Sequence, residues 1–206
     1  MSALQMTCGP SPDVASAPVL ETGRLILRAP SLDDAKAIAL LANNRKIAAM
    51  TARVPHPYTL DDATRWIASP PAETKRWKFG VFTRDDGRFV GACGFTDEDE
   101  RMTVGYWIGE PFWGRGYATE SVRALVDHIF SATPLDEVAA NCHVKNTASR
   151  RVLEKCGFQW TGAALARVRS IGASVPADRF RLERRTWTAL RAWGRSSLPK
   201  VANGRP

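Results

Sequence analysis

The sequence predicts one α/β domain with a mixed, mainly antiparallel sheet and helices on both faces. Three observations carry this. Two strand-like runs, Trp77–Thr83 and Phe89–Phe95, flank Arg84-Asp85-Asp86-Gly87-Arg88, a hairpin turn sequence, and Thr103–Gly109 adds a third strand to the same meander. Helical patterns separate the later strands, the longest with apolar residues at Val122, Leu125, Val126 and Ile129. Because the meander has no helix between its strands, the chain is not a repeated βαβ array.

Each element has a local signal. Arg24-Leu25-Ile26-Leu27-Arg28 alternates, with Leu25 and Leu27 on one face. Ser31 caps a helix whose first turn carries Asp33 and Asp34 and whose apolar stripe includes Ile38 and Leu41. Pro55-His56-Pro57 breaks the chain, and Thr59 caps a second helix containing Asp61, Asp62 and Trp66. After the meander come a helix over 116–131, a strand over 137–144, a helix from Asn146 to Cys156 ended by Gly157, strand material from Phe158, and a last strand over 179–187. Residues 1–18, rich in Ser, Pro and Ala, are expected to be a disordered leader. The domain spans 19–190, and 191–206 forms a flexible tail.

A chain of 206 residues, 44% hydrophobic, is enough for one core. The net charge of +8 implies attraction to polyanions: cofactor phosphates, ribosomal RNA, or nothing specific where Lys and Arg form only a solvated face. The four cysteines lie far apart and the three histidines are scattered, so neither a disulfide framework nor a metal site is expected. No apolar run approaches the ~20 residues of a membrane span. The N-terminus has no basic segment followed by an apolar one, which points to a cytoplasmic protein with no membrane partner.

The most informative stretch is Val104-Gly105-Tyr106-Trp107-Ile108-Gly109-Glu110-Pro111-Phe112-Trp113-Gly114-Arg115-Gly116-Tyr117-Ala118-Thr119-Glu120. It reads as a strand, a glycine turn and a helix start. Gly114 and Gly116 permit a tight bend without a Cβ, so the amides of Arg115 to Ala118 can point at an anion aided by the helix dipole. A dinucleotide fingerprint would need glycine where Thr119 stands, and a Walker A loop would need Gly-Lys-Ser/Thr. A turn with no ligand is the competing reading. A second stretch, Asn146-Thr147-Ala148-Ser149-Arg150-Arg151-Val152-Leu153-Glu154-Lys155-Cys156-Gly157-Phe158, puts Asn146 and Ser149 on one side of a helix start. On its own it is satisfied by Asn146 as a cap and Ser149 as an ordinary first-turn residue.

Together with Leu20-Glu21-Thr22-Gly23-Arg24-Leu25-Ile26-Leu27-Arg28, these stretches resemble the GNAT superfamily of acyl-CoA-dependent N-acyltransferases, and within it the RimJ/RimL-like branch of ribosomal-protein N-terminal acetyltransferases. The resemblance covers residues 19–190. It implies a GNAT-type central sheet with splayed middle strands, acetyl-CoA as co-substrate, no metal, and transfer of an acetyl group to a primary amine by direct attack. The pyrophosphate would lie on the backbone of Trp113, Gly114, Arg115, Gly116, Tyr117, Ala118 and Thr119. Ile108 and Gly109 would end the strand that bonds the pantetheine arm, diverging from 137–144. Asn146 would bond the pantetheine, and Ser149 would lie at the thioester sulfur.

The Ile108 N–H would serve the developing oxyanion. Lys145, Arg150, Arg151 and Lys155 would meet outer phosphates or remain solvated surface.

The sequence departs from many relatives at Leu153, where they carry a tyrosine acid, and at Thr103, where they carry a glutamate. The resemblance therefore assigns Ser149 to the leaving thiolate, and Glu98 is chosen as base from the Asp97–Glu100 cluster, with His143 as a lesser candidate. The loops around 50–58 and 168–178 would line the acceptor groove with Arg53, His56 and Tyr58, while Trp66 and Trp77 are read as packing. The acceptor would be a protein N-terminus, a ribosomal protein among the partners, or a small amine, and relatives are commonly homodimers. Two other classes stay open: a catalytically silent acyl-CoA-binding sensor, and an RNA- or ribosome-associated basic domain.

Overall fold

The computed structural model describes residues 18–70, 76–98 and 101–196. Eight strands form one sheet in the order β1 (Leu20–Glu21), β2 (Leu25–Arg28), β3 (Arg76–Thr83), β4 (Phe89–Glu98), β5 (Arg101–Ile108), β6 (Glu137–His143), β8 (Ala173–Glu183) and β7 (Gln159–Val168). Neighbours are antiparallel except β5 and β6, which are parallel. β4 and β5 pair along their length, from Gly91↔Ile108 to Glu98↔Arg101. β6 and β8 pair just as fully, from Glu137↔Glu183 to His143↔Ala177. Between the two halves only Thr103↔Ala139 and Val104↔Ala140 are joined. Each half keeps its own twist, so past Val104 the middle strands splay as expected.

The helices are α1 (Ala35–Ala42), α2 (Arg45–Met50), α3 (Leu60–Ala68), α4 (Tyr117–Ala132), α5 (Thr147–Lys155) and α6 (Arg184–Ser196). Alternation along the strands gives each sheet face its own core. Leu25, Leu27, Phe79, Val81, Val90, Val104, Ile108, Val138, Phe180 and Leu182 pack with Val122, Leu125, Ile129 and Phe130 of α4 and Leu153 of α5. On the opposite face Phe82, Phe89 and Ala92 pack with Ile38 of α1 and Ala63 of α3, with Trp66 and Trp107 against them. Trp77 stacks on Phe95 at 4.8 Å between ring centroids. Both tryptophans thus serve as packing, as read from the sequence.

Four local readings are corrected. The helix from Ser31 is a 3-10 turn (Leu32–Asp34) leading into α1, and the chain then breaks at Asn43-Asn44. The Asn44 side chain starts α2 by accepting from Lys46 N and Ile47 N. β4 runs past the end expected at Phe95, through Asp97 to Glu98. Most of 168–178 is strand, with a turn only at 169–172. The strand expected over 179–187 ends at Glu183 because Arg184 leaves the ladder: its N–H donates to Asp136 O (2.7 Å) and α6 begins, running on to Ser196.

Both ends of α4 are tied down. At its C-terminal end the Arg184 guanidinium donates to Phe130 O (2.8 Å), Leu135 O (2.8 Å) and Thr133 O (2.6 Å), closing carbonyls that a helix end leaves open. At its N-terminal end Glu120 accepts from Thr22 Oγ1 (2.6 Å), Arg24 N (2.9 Å) and Arg24 Nε (2.8 Å), while Arg24 Nη1 donates to Arg115 O (2.9 Å). The β1–β2 turn thereby holds the loop before α4. Burial raises the Glu120 carboxyl, but the hydrogen bonds from Thr22 and Arg24 outweigh it and hold the group below its ordinary value.

Arg184→Ala is expected to lower unfolding stability by about 2 kcal/mol, with Arg184→Lys recovering only part, since an ammonium cannot span three carbonyls. Denaturant titration checks this. Glu120→Gln is expected to cost roughly 1 kcal/mol at neutral pH, the partner Arg24 being half exposed. Because the folded carboxyl is depressed, its contribution is whole above the ordinary value of 4.5 and is lost as pH falls through the folded value. The gap between wild type and variant should therefore begin to narrow below pH 4.5 and close once pH has fallen through the lowered folded value, in the same titration.

Candidate active site

The splay leaves one edge of β5 without a partner strand. Gly109 N donates to Val90 O (2.9 Å), so Gly109 faces β4. The antiparallel ladder alternates, so Ile108 and Tyr106 turn their peptide groups the other way, toward the gap. Of the pair expected at the strand end, Ile108 alone presents its N–H to the gap. Its carbonyl accepts from Trp113 Nε1 (2.6 Å), which clamps the following loop against the strand.

That loop starts with a 3-10 turn (Glu110–Phe112), and Trp113 N donates to Glu110 O (3.2 Å). Gly114 (φ 76°) and Gly116 (φ 80°) are left-handed, a conformation that excludes most side chains, and Gly116 caps α4. The first bond of α4 is Glu120 N to Gly116 O (3.1 Å). Among the described residues, the amides of Gly114, Arg115, Gly116, Tyr117, Ala118 and Thr119 meet no backbone or side-chain acceptor. Six donors at a helix N-terminus form an anion site. The run begins one residue later than expected, because the Trp113 amide is engaged.

Across the gap stands the start of α5. Asn146 Oδ1 accepts from Ser149 N (3.1 Å) and Asn146 N donates to His143 O (2.7 Å). Ser149 Oγ lies 2.8 Å from Tyr106 Oη, which is also 3.2 Å from Ser149 O. Ser149 is thus brought to the splayed edge, beside Ile108's strand. Tyr106 was not among the expected site residues. Its signal was available: on β5 it shares the parity of Ile108, two residues away. Burial pushes its phenol far above the ordinary range. Leu153 is fully buried in the core.

A buried carboxylate anchors α5 from behind. Asp178, only 6% exposed, sits opposite Cys142 and accepts from Trp160 Nε1 (2.9 Å) and Arg150 Nη1 (3.4 Å). Arg150 is therefore turned toward β8. Burial, with the Asp178 carboxylate nearby, raises the Cys142 thiol.

On the α1/α3 face the two expected acceptor loops meet. Arg169 N donates to Ala52 O (2.9 Å), Ser170 Oγ to Ala48 O (2.8 Å), and Arg53 Nη1 to Thr96 Oγ1 on β4 (2.9 Å). Tyr58 is core, its phenol pushed up to about 12 by burial and by Asp62. Glu98 ends β4 in register with Arg101, but its side chain, with all of Asp99 and Glu100, lies outside the described residues. His143 Nδ1 accepts from Lys145 N (3.0 Å), a local turn contact. Among the described residues no group of His, Cys, Asp or Glu could hold a metal, and no helix is long and apolar enough to cross a membrane.

The family model for the acetyltransferase (GNAT) domain matches residues 24–159. The "Uncharacterized N-acetyltransferase YoaA" of Bacillus subtilis is 32% identical over 151 residues, covering 70% of this chain and 85% of that protein. The "Uncharacterized N-acetyltransferase p20" of Bacillus licheniformis is 26% identical over 173 residues, 82% and 97% of the two chains. Among solved structures, RimL, a ribosomal L7/L12 α-N-protein acetyltransferase in complex with coenzyme A, superposes with a TM-score of 0.70 at 17% identity, covering 81% of this chain and 98% of that one. RimJ of Mycobacterium smegmatis in complex with CoA-disulfide gives 0.70 at 22%, covering 83% and 90%. These last two show the fold. Matched by that family model over residues 24–159, well over half of its length, the chain belongs to the GNAT acetyltransferase family.

Proposed function

We propose that this acetyltransferase moves an acetyl group from acetyl-CoA to a primary amine, the N-terminus of a protein or a small amine, by direct attack. One observation carries the reading: the edge of β5 past Val104 leads through one 3-10 turn to six amides at the start of α4, and among the described residues neither has a partner. An extended pantetheine arm adds to such an edge as a short strand, and a pyrophosphate suits the amides from Gly114 to Thr119. The Asn146 side chain, already capping α5, borders the same gap.

Ile108 N–H faces the place where an oxyanion develops. The Ser149 hydroxyl hydrogen-bonds the departing sulfur, and Glu98 or a water it orders takes the amine proton. The acceptor enters on the α1/α3 face, where the 51–59 segment meets the 169–172 turn. The likeness to RimL, a ribosomal L7/L12 α-N-protein acetyltransferase, supports a protein N-terminus, with ribosomal proteins as the partner class.

The test is thiol release from acetyl-CoA with a panel of N-terminal peptides and amines. Turnover is expected, with Ser149→Ala lowering kcat by roughly 10- to 100-fold while the KM for acetyl-CoA stays within about twofold. Failure of CoA to protect the protein thermally contradicts the reading. Protection without turnover on any amine replaces it with an acyl-CoA sensor.

A further inference from the structure

We propose that Tyr106 is a positioning residue for the leaving-group sulfur: its O–H donates to Ser149 Oγ, so that the serine's own proton is directed into the gap between β5 and β6. The inference rests on the acetyl-transfer reading above.

The Tyr106 oxygen has two acceptors within reach, Ser149 Oγ at 2.8 Å and Ser149 O at 3.2 Å, but only one proton to give. Were it given to the carbonyl, the serine hydroxyl would turn its proton back onto the phenol oxygen, and nothing would be left for a sulfur in the gap. Of the two hydroxyls the phenol is the stronger acid and so the better donor, and Oγ is the nearer of its two acceptors, which favours donation from Tyr106 to Oγ. The Ser149 N–H is occupied by Asn146 Oδ1, which fixes the helix turn and hence the rotation of the side chain. The groups around the phenol are the thiols of Cys142 and Cys156 and, beyond Cys142, Asp178 with Arg150. Burial keeps the phenol protonated, so Tyr106 remains a donor and gives up no proton during the reaction.

The step then balances simply. The amine nitrogen bonds the carbonyl carbon, the C–S bond breaks, and its electron pair passes to sulfur. The amine proton goes to the base. The thiolate is held by the Ser149 O–H, itself held by Tyr106, until it leaves or takes a proton from water.

Binding of CoA and of desulfo-CoA to the whole protein, measured by calorimetry between pH 7 and pH 9, tests this without any acceptor. In the wild type the preference for CoA is expected to grow with pH as the bound thiol ionises, reaching about tenfold, the worth of a hydrogen bond to a charged group. Tyr106→Phe, which keeps the ring, should abolish that preference. Ser149→Ala should do the same, and the double variant should lose no more than either single. Incorporating 3-fluorotyrosine at 106, a stronger donor in the same packing, should enlarge the preference. A preference that survives Tyr106→Phe but not Ser149→Ala overturns the role of Tyr106, as does equal binding of the two ligands by the wild type. If the wild type binds neither ligand, the acetyl-transfer reading falls as well.

Discussion

The two-position pairing between β5 and β6 is the constraint on which the rest depends. Each half of the sheet is a complete antiparallel ladder, and they share only Thr103↔Ala139 and Val104↔Ala140. An unpaired strand edge inside a protein is costly unless something satisfies it. Here Ile108 O is satisfied by the Trp113 indole, and the Ile108 N–H is left facing the gap. The loop that follows adds a run of unbonded amides. The same short stretch of chain thus concentrates donors that have no partner among the described residues.

An open gap is useful only if its walls are fixed, and three tethers fix them. Glu120 and Arg24 hold the loop before α4 to the β1–β2 turn, reaching the Arg115 carbonyl inside the loop itself. Arg184 closes the other end of the same helix. Asp178, gripping Arg150 and Trp160, holds α5 against β8 and so sets the distance from Ser149 to Tyr106. None of these groups needs to touch a reactant. Their common effect is to place donors on helices and strands instead of mobile loops, which is what orientation-dependent chemistry requires.

What was legible in the sequence was local. The meander, the caps at Thr59 and Asn146, the apolar stripe of α4 and the left-handed glycines all follow from signals within a few residues of one another. What was hidden depends on distant partners. Arg184 ends a strand because of carbonyls some fifty positions earlier in the chain, and without them Arg179–Trp187 alternates well enough to pass for strand. Asp178 is invisible as an anchor until β8 sets it opposite Cys142. Tyr106 lay inside the quoted motif, yet its tie to Ser149 needs the register of β5 and the capped start of α5 at once. Arg150 was legible as a cation, but its direction was not.

The central claim is that the β5 edge and the amides before α4 form one binding surface. Backbone amide chemical shifts of the isotope-labelled protein, followed as CoA is added, test it most directly. The amides of Gly114 to Thr119, with those of Tyr106 and Ile108, should move together and saturate at one ligand, while Gly105, Trp107 and Gly109, which face β4, stay nearly still. Shifts confined to the hollow lined by Arg24, Arg123, Lys155 and Arg191, with Tyr106 and Ile108 unmoved, would contradict it.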